Sequence, residues 1–335
     1  MFPNPKHDIP LQALYNQSLT DKDLSLLVLR TDQIDPVISG NKWFKLKHNL
    51  LKAQQQGYQT LLSFGGPYSN HLHALAAAGK AHQFNTIGVI RGEEHLPLNP
   101  TLADIVAQGM KLYYINRISY RNKYTPEVIN RLKTMIAEDD PFFDRHKSAK
   151  QRASNFFLLP EGGTNDLAVK GAAEIASFIP ENTDYVCVPC GTGGTIAGII
   201  NGLNTSGRHQ TRVLGFAALK GGQFLEQTIS HLLFERESGQ TKLTTRVIWQ
   251  LLHDYHFDGF GKINQSLALF IHDFEKKYPI ALDPIYTAKM MYAIVSLIEE
   301  DFFPKGSKIV AVHTGGLQGR RAMEQKIQTL IAKAT

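Results

Sequence analysis

A lysine directly follows a glycine-containing turn, at a point where a helix is expected to begin. Lys42 stands after Ser39-Gly40-Asn41, and the amphipathic pattern of a helix covers Lys42–Gln56. Positive charge is unfavourable at the amino end of a helix, where the helix dipole is itself positive. The same field lowers the pKa of an amine and favours its use as a nucleophile. Lys42 is therefore predicted to be either an activated amine or an ordinary surface lysine.

Three glycine-bearing segments each follow a strand-like run. They are Gly65-Gly66-Pro67-Tyr68-Ser69-Asn70-His71, Gly191-Thr192-Gly193-Gly194-Thr195 and Thr314-Gly315-Gly316. Loops at the carboxyl ends of parallel strands are where α/β folds bind their ligands. In the first segment, the backbone donors at the helix start of Ser69, Asn70 and His71 could hold a carboxylate. For His71, a local hydrogen bond at the helix start is the alternative to a role in the reaction.

The segment Gly191–Thr195 has the composition of a phosphate-binding loop. Glycines let main-chain N–H groups turn inward, and the helix start that follows adds a positive dipole end. Thr192 and Thr195 add hydroxyl donors. The dinucleotide fingerprint is missing because Ile196 stands at the third glycine position, and no Gly-Lys-Ser/Thr sequence follows. The segment predicts a phosphate monoester site, and a tight strand-to-helix turn without a ligand is the alternative.

The two cysteines, Cys187 and Cys190, have the spacing Cys-x-x-Cys. A metal site needs more ligands than these two thiols, and a redox pair would normally open a helix. Cys187 instead lies inside a predicted strand. We therefore interpret the pair as a buried strand cysteine and a loop residue, and we expect no metal.

Composition excludes several classes of protein. The 335 residues carry 36 Lys+Arg against 30 Asp+Glu, a formal net charge of +6, and 43% are hydrophobic. A chain this apolar can bury a large core, which excludes low-complexity disorder. No apolar run is long enough for a bilayer, and the amino terminus lacks the apolar region of a signal peptide. With two cysteines and no export signal, a cytoplasmic location is expected.

The positive charge could indicate a nucleic-acid partner, so its location matters. Much of the excess lies in the polar, helical stretch Arg117–Arg152, where basic residues are interleaved with acids. Such a pattern is typical of a solvated face. We therefore expect neither a nucleic-acid nor a membrane partner.

Short aliphatic runs alternate with amphipathic helices over most of the chain, which predicts parallel sheets built from βαβ units. The predicted strands are Gln59–Phe64, Asn85–Arg91, Lys111–Ile115, Asn155–Leu159, Asp184–Pro189, Thr211–Ala218 and Lys308–His313. The predicted helices are Lys42–Gln56, Ser69–Gln83, Pro100–Gln108, Thr125–Glu138, Leu167–Phe178 and Asp283–Glu300. Crossings between domains are expected at Ile38–Asn41 and at Asp139–Ser154. Residues 1–41 with 155–335 would then form a large domain, and residues 42–154 a small one.

Taken together, the motifs resemble one enzyme family. The matching segments are Ser39-Gly40-Asn41-Lys42, Gly65–His71, Gly191–Thr195, Leu282-Asp283-Pro284-Ile285-Tyr286-Thr287 and His313-Thr314-Gly315-Gly316. In this order they resemble the pyridoxal 5'-phosphate (PLP) enzymes of the tryptophan-synthase-β fold, fold type II. Within that fold they are similar to the branch of 1-aminocyclopropane-1-carboxylate deaminase and D-cysteine desulfhydrase. The resemblance implies two three-layer αβα domains with mostly parallel sheets, a large cofactor-binding one and a small one, and a homodimer.

The resemblance also implies a role for each matching residue. Lys42 would carry the cofactor covalently, and Ser69 would supply a catalytic hydroxyl. Asn70 would bind the phenolic oxygen of PLP, and Thr287 would contact the pyridine nitrogen. The phosphate would be held by Gly191, Thr192, Gly193, Gly194 and Thr195, with Gly315 also at the cofactor. The small amino-acid substrate would contact Ser69, Asn70, His71, Phe260 and Tyr286, of which Tyr286 would also be catalytic.

Two departures from the deaminase pattern bear on the reaction. The deaminase has Glu where this chain has Thr287, and a carboxylate keeps the pyridine nitrogen protonated and the electron sink strong. Phe260 replaces a tyrosine common in the family. Both differences favour β-elimination from D-cysteine, giving pyruvate, ammonia and sulfide. The alternatives are deamination of 1-aminocyclopropane-1-carboxylate to 2-oxobutyrate and ammonia, and non-catalytic binding of a phosphate or nucleotide.

Overall fold

The computed structural model describes residues 9–139, 156–237, 240–243 and 245–334 of the chain. Apart from Asp139, the predicted crossing Asp139–Ser154 lies outside these residues. The chain divides into two compact units, Met1–Asn49 with Gly163–Thr335, and Leu50–Gly162. The sequence predicts the two domain boundaries after residues 41 and 154, and the two units of the structure divide after residues 49 and 162.

Twelve strands and twelve helices are present in the described residues. The strands are β1 Leu11–Leu14, β2 Ser25–Leu29, β3 Thr60–Gly65, β4 Asn85–Arg91, β5 Lys111–Ile115, β6 Phe156–Leu158, β7 Tyr185–Cys190, β8 Arg212–Ala217, β9 Phe234–Glu237, β10 Gln240–Leu243, β11 Trp249–Leu252 and β12 Lys308–Val312. The helices are α1 Gln17–Asp21, α2 Asn41–Gln55, α3 Asn70–Ala81, α4 Pro100–Ala107, α5 Arg117–Arg121, α6 Pro126–Asp139, α7 Asp166–Ala173, α8 Gly194–Thr205, α9 Phe224–Leu233, α10 Gln265–Lys277, α11 Thr287–Glu299 and α12 Glu324–Ala332. Short 3-10 helices cover Thr31–Gln33, Glu161–Gly163, Glu174–Phe178 and Leu317–Ala322.

The larger unit contains a six-stranded sheet with the order β1-β2-β12-β7-β8-β11. All neighbouring strands are parallel except β1, which pairs antiparallel with β2 at one edge. Every residue of β7 is buried, as expected for a central strand of a parallel sheet covered on both faces. Helix α11 contributes Met290, Met291 and Ile294 to the core of this unit. The strands β9 and β10 form a separate antiparallel pair.

The smaller unit contains a four-stranded parallel sheet with the order β5-β4-β3-β6. Its core includes Leu62 and Phe64 of β3, Val89 of β4 and Leu132 of α6, all buried. Strand β3 is buried throughout and ends at Gly65, and helix α3 begins five residues later at Asn70. A strand, a glycine loop and a helix therefore follow one another as the sequence predicts.

The predicted α/β class with mostly parallel sheets is confirmed, and all seven predicted strands are present. Strands β1 and β11 were missed; they are four-residue edge strands without the continuous apolar run of a buried strand. Strand β2 was missed although its apolar run Leu26–Leu29 could have indicated it. The hairpin β9–β10 was also missed.

The six predicted helices are present, with two corrections. The helix expected from Asp283 begins at Thr287, because the Asp283 carboxylate accepts hydrogen bonds from the N–H groups of Ile285, Tyr286 and Thr287 and holds the chain in a turn. The helix expected over Leu167–Phe178 ends at Ala173, and a 3-10 helix follows. Within the described residues, no helix combines the length and apolar character needed to cross a membrane.

Candidate active site

The turn before Lys42 is built by close backbone contacts. Gly40 has a φ of +68°, and a Cβ atom at this position would lie 2.0 Å from the carbonyl oxygen of Thr314. The N–H of Asn41 donates to that same oxygen at 3.3 Å. Gly315, with a φ of +76°, packs on the turn in the same way, because its Cβ would lie 2.8 Å from the Ser39 hydroxyl oxygen. The two glycine segments, far apart in sequence, therefore fix the start of α2 together.

Lys42 is the second residue of α2 and is partly buried. Its Nζ donates to Oδ1 of Asn41 at 3.1 Å, and Nδ2 of Asn41 donates to the hydroxyl of Thr195 at 2.7 Å. Burial lowers the pKa of Lys42 to about 8, although the negative charge of Asp283 acts in the opposite direction. Burial is the main cause of this lowering. The partial burial of Lys42 and its hydrogen bond to Asn41 favour the activated amine over an ordinary surface lysine.

The segment Gly191–Thr195 joins β7 to α8 as predicted. Gly193 has a φ of +78°, which favours glycine, and α8 begins at Gly194. A Cβ at Gly191 would lie 2.9 Å from Cε1 of Tyr286, and one at Gly194 would lie 2.9 Å from the hydroxyl oxygen of Thr164. Side chains thus approach the loop backbone at both glycines. The hydrogen bonds from Lys42 to Asn41 and from Asn41 to Thr195 connect Lys42 to this loop.

Lys45 was missed by the sequence reasoning, although it lies one helical turn after Lys42. Its side chain is 1% exposed, and its Nζ donates to the Thr164 hydroxyl at 2.8 Å. That hydroxyl lies 2.6 Å from the hydroxyl oxygen of Thr192. Burial, and secondarily the charge of Lys42, keep the pKa of Lys45 well below its usual range. The i, i+3 spacing from Lys42 could have indicated that both amines share one face of the helix.

Thr287 is fully buried at the amino end of α11. Its hydroxyl accepts from the N–H of Asp283 at 2.8 Å and lies 3.3 Å from Oδ2 of the same aspartate. Burial raises the pKa of Asp283, whereas its backbone hydrogen bonds and the charge of His313 lower it. The buried hydroxyl of Thr287 is therefore in contact with the buried carboxyl group of Asp283.

Tyr286 and Phe260 form one aromatic pair beside the glycine loop. Their ring centroids are 5.9 Å apart and the planes are inclined by 63°. Tyr286 contacts the backbone at Gly191, and Phe260 is 50% exposed. The larger unit therefore brings together eight predicted residues near one loop: Lys42, Gly191, Thr192, Gly193, Gly194, Thr195, Tyr286 and Phe260. It also holds Thr287 and Gly315 through their contacts with Asp283 and the Ser39-Gly40 turn.

The remaining predicted residues lie in the smaller unit, at the start of α3. Ser69 is the residue before the helix, and its hydroxyl accepts from the N–H of Leu72 at 3.2 Å. Asn70 is the first helical residue and is partly buried. His71 is buried, and its Nε2 lies 2.9 Å from the hydroxyl of Ser63, which donates to the Leu159 carbonyl. His71 is therefore hydrogen-bonded to strand β3, eight residues before it in the chain.

The two cysteines, Cys187 and Cys190, are in an environment that makes thiols unreactive. Both are free and buried, and burial raises the pKa of Cys190 to about 12 and raises that of Cys187. Thiols of this kind are largely protonated near neutral pH and make poor nucleophiles and metal ligands. Cys190 is the last residue of β7, because the strand is one residue longer than predicted, so its placement in a loop was wrong.

The residues of the larger unit fit a phosphorylated aldehyde cofactor. An amine with a pKa of about 8 can be neutral often enough to react with a carbonyl group. The loop offers glycine N–H groups, the start of α8 and two threonine hydroxyls for a phosphate, and the amine of Lys45 reaches the loop through Thr164. PLP needs this combination of an amine and a phosphate site.

Comparison with known proteins agrees with this chemistry. A family model described as pyridoxal-phosphate dependent enzyme matches residues 8–315. The chain belongs to this family. The non-catalytic alternative is thereby set aside, and PLP is the cofactor of this PLP-dependent enzyme.

Relatives of the PLP-dependent enzyme span nearly its whole length. A protein of Pyrococcus horikoshii, named provisionally as a 1-aminocyclopropane-1-carboxylate deaminase, is 27% identical over 97% of this chain and 94% of its own. The bifunctional D-cysteine desulfhydrase/1-aminocyclopropane-1-carboxylate deaminase of Arabidopsis thaliana, described as mitochondrial, is 27% identical over 95% of this chain and 77% of its own. The crystal structure of an ACC deaminase homologue superimposes with a TM-score of 0.77 at 25% identity, covering 98% of this chain and 95% of that one. The predicted fold type II is confirmed.

Proposed function

We propose that this PLP-dependent enzyme is a β-elimination lyase that converts D-cysteine, with water, to pyruvate, ammonia and sulfide. The observation that carries the proposal is the buried hydroxyl of Thr287, hydrogen-bonded to Asp283, at the position where the deaminase pattern has a carboxylate. A hydroxyl leaves a pyridine nitrogen largely unprotonated, which is sufficient for elimination next to an activated Cα. Phe260 supports the same choice, because its ring stands beside Tyr286 without a hydroxyl group.

In this proposal, some residues of the larger unit would bind the cofactor and others would act on the substrate. Bound PLP supplies an electron sink for the electron pair left at Cα. Lys42 would hold the cofactor, and its Nζ would take the proton from Cα of the substrate. The Gly191–Thr195 loop and Lys45 would hold the phosphate. Tyr286 would position the substrate or the leaving thiolate.

The residues at the start of α3 would serve the substrate and the cofactor oxygen. In the proposal, Ser69 assists proton transfer, Asn70 binds the phenolic oxygen of PLP, and backbone N–H groups near His71 bind the substrate carboxylate. Ser69 can do this while it caps the helix, since its oxygen accepts from Leu72 and its own proton is left to donate. Ser69→Ala should therefore reduce kcat, whereas Ser69→Thr should retain part of it.

The experiment that tests the proposal measures products. The purified enzyme with PLP is given D-cysteine and L-cysteine, and sulfide and pyruvate are quantified together with the Lys42→Ala variant as the inactive control. We expect equal amounts of sulfide and pyruvate from D-cysteine and none from the variant. Absence of sulfide from both stereoisomers would refute the elimination.

Deamination of 1-aminocyclopropane-1-carboxylate is the second candidate function. It is supported by the names of the relatives and by Tyr286, which this chain retains against the phosphate loop. The same enzyme preparation incubated with the cyclopropane acid decides between the two. Formation of 2-oxobutyrate at a rate exceeding sulfide release from D-cysteine would make deamination the main activity.

We further propose that the enzyme acts as a homodimer in the cytoplasm. The dimer rests on the resemblance to the family, and the location rests on the composition of the chain and its two free cysteines. Light scattering after size-exclusion chromatography tests the first point, and a dimer mass near twice 37.4 kDa is expected. Fractionation of the source cells tests the second.

A further inference from the structure

Lys289 is a buried lysine for which the proposed reaction has no use. It lies on α11, two residues after Thr287, and is 2% exposed. Its Nζ donates to the backbone carbonyl of His256 at 2.8 Å and to that of Gly259 at 2.9 Å, with a longer contact of 3.5 Å to the carbonyl of Ala218. One ammonium group therefore gathers carbonyls from two chain segments, and burial lowers its pKa to about 8.

The segment that Lys289 holds is an unusual turn. Phe257 and Asp258 have φ values of +52° and +65°, a region that side chains other than glycine rarely adopt, and Gly259 follows with +123°. The carbonyls of His256 and Gly259 also accept from the N–H groups of Gly259 and Lys262 at 3.1 Å each. The carbonyls of His256 and Gly259 thus accept both from Lys289 and from a backbone N–H group three residues further along the chain. The ammonium therefore stabilises two consecutive turns.

The turn carries Phe260 to the aromatic pair described above. Phe260 packs on Tyr286, and Tyr286 packs on the backbone at Gly191. A second contact fixes the other end of the turn, since the Phe257 ring lies 5.0 Å from the ring of Tyr292 on α11. Removing the ammonium would therefore release the part of the turn next to Phe260 while this apolar anchor keeps the segment attached.

We propose that Lys289 is a positioning residue for the substrate side of the site: its ammonium fixes the His256–Gly261 turn so that the Phe260 ring is held against Tyr286. The inference rests on the proposed function, because it assigns Phe260 and Tyr286 to the face that meets the amino-acid side chain. In this role Lys289 acts through the turn, because its Nζ donates to backbone carbonyls. A neutral side chain of similar length would keep the packing of α11 and lose all three donors.

Hydrogen exchange of the cofactor-loaded enzyme tests the positioning without reference to activity. Lys289→Met should accelerate exchange at the amides of Gly259 and Lys262 at least tenfold. Lys22→Met is the matched control, since Lys22 donates to the carbonyls of Ile298 and Glu299 at the other end of the same helix. The control should accelerate exchange only near its own end of α11. Unchanged exchange at Gly259 and Lys262 in Lys289→Met would overturn the proposal.

A double-mutant cycle tests the consequence for the substrate. Lys289→Met should raise KM for the amino-acid substrate at least threefold in the wild-type background. In the Phe260→Ala background the same substitution should raise KM by less than 1.5-fold. The ratio of the two effects, about twofold, is the coupling between Lys289 and Phe260. Multiplicative effects of the two substitutions would show that Lys289 does not act through Phe260 and would refute the substrate role. If no amino acid is turned over at all, the proposed function fails, and the exchange experiment still decides whether Lys289 holds the turn.

Discussion

Replacement of Lys45 by methionine should separate cofactor binding from folding. Lys45 is 1% exposed and is joined to the phosphate loop through the hydroxyls of Thr164 and Thr192. Without a phosphate, a buried ammonium in this place is a destabilising charge, as its lowered pKa indicates. With a phosphate, the same group gains a charge-assisted interaction. Lys45→Met should therefore change cofactor affinity and the stability of the cofactor-free protein in opposite directions.

The magnitudes follow from the two environments. A hydrogen bond to a charged group contributes roughly 1.5–3 kcal/mol, so loss of the ammonium should weaken PLP binding about 10- to 150-fold. In the cofactor-free protein, burial penalises the charged form of Lys45, which is why its pKa is lowered. Methionine removes that penalty and keeps most of the volume, and Thr164 retains Thr192 as a partner. The free energy of unfolding should therefore be unchanged or up to about 2 kcal/mol higher.

The assay combines PLP titration by absorbance with denaturant unfolding of the cofactor-free protein. Lys47→Met is the matched control, because Lys47 lies on the same helix and pairs with Glu174 at 2.8 Å in a partly exposed position. It should leave PLP affinity unchanged within about twofold, since screened ion pairs near the surface contribute little. If Lys45→Met lowered affinity and stability together, the residue would be structural. If it lowered neither, the phosphate would lie elsewhere.

Three further substitutions and conditions test the rest of the site. Because burial lowers the pKa of Lys42 to about 8, the rate at which PLP becomes attached to Lys42, followed by borohydride trapping and peptide mapping, should rise with pH to a midpoint near 8; a midpoint near 10.5 would contradict the burial argument. Thr287→Glu should shift the absorption of the bound cofactor and reduce sulfide release, since the negative charge of a carboxylate would stabilise the protonated form of the ring nitrogen; an unchanged spectrum and rate would mean that Thr287 does not face that nitrogen. Gly40→Ala should lower the free energy of unfolding by more than about 2 kcal/mol, because it adds to the cost of a positive φ a Cβ 2.0 Å from the Thr314 carbonyl. Gly57→Ala, with a φ of +73° and nothing within 4 Å of its Cβ, should cost only about 1 kcal/mol in denaturant unfolding, and equal losses would remove the role of the contact.

Much of the fold is visible in the sequence because central parallel strands are buried on both faces. Strands such as β7 and β12 are therefore nearly continuous apolar runs, and glycine follows them where the chain turns into a loop. Edge strands such as β1 and β11 carry no such signal, since only one residue of each is buried. The late start of α11 escaped prediction because the Asp283 carboxylate, and not the helical periodicity, decides where the helix begins.

The sequence by itself indicated the candidate residues, and the resemblance of its ordered motifs to an enzyme family indicated the cofactor. Lys42 after a glycine turn and threonines among glycines in Gly191–Thr195 are local patterns, so they can be recognised without knowledge of the fold. Only the tertiary structure decided why the Lys42 amine has a lowered pKa, because burial depends on what packs around it. It also decided that Lys45 faces the loop and that Lys289 gathers distant carbonyls. The sequence alone does not distinguish a buried lysine from an exposed one. The function of a lysine is set by the groups that the fold brings to its amine.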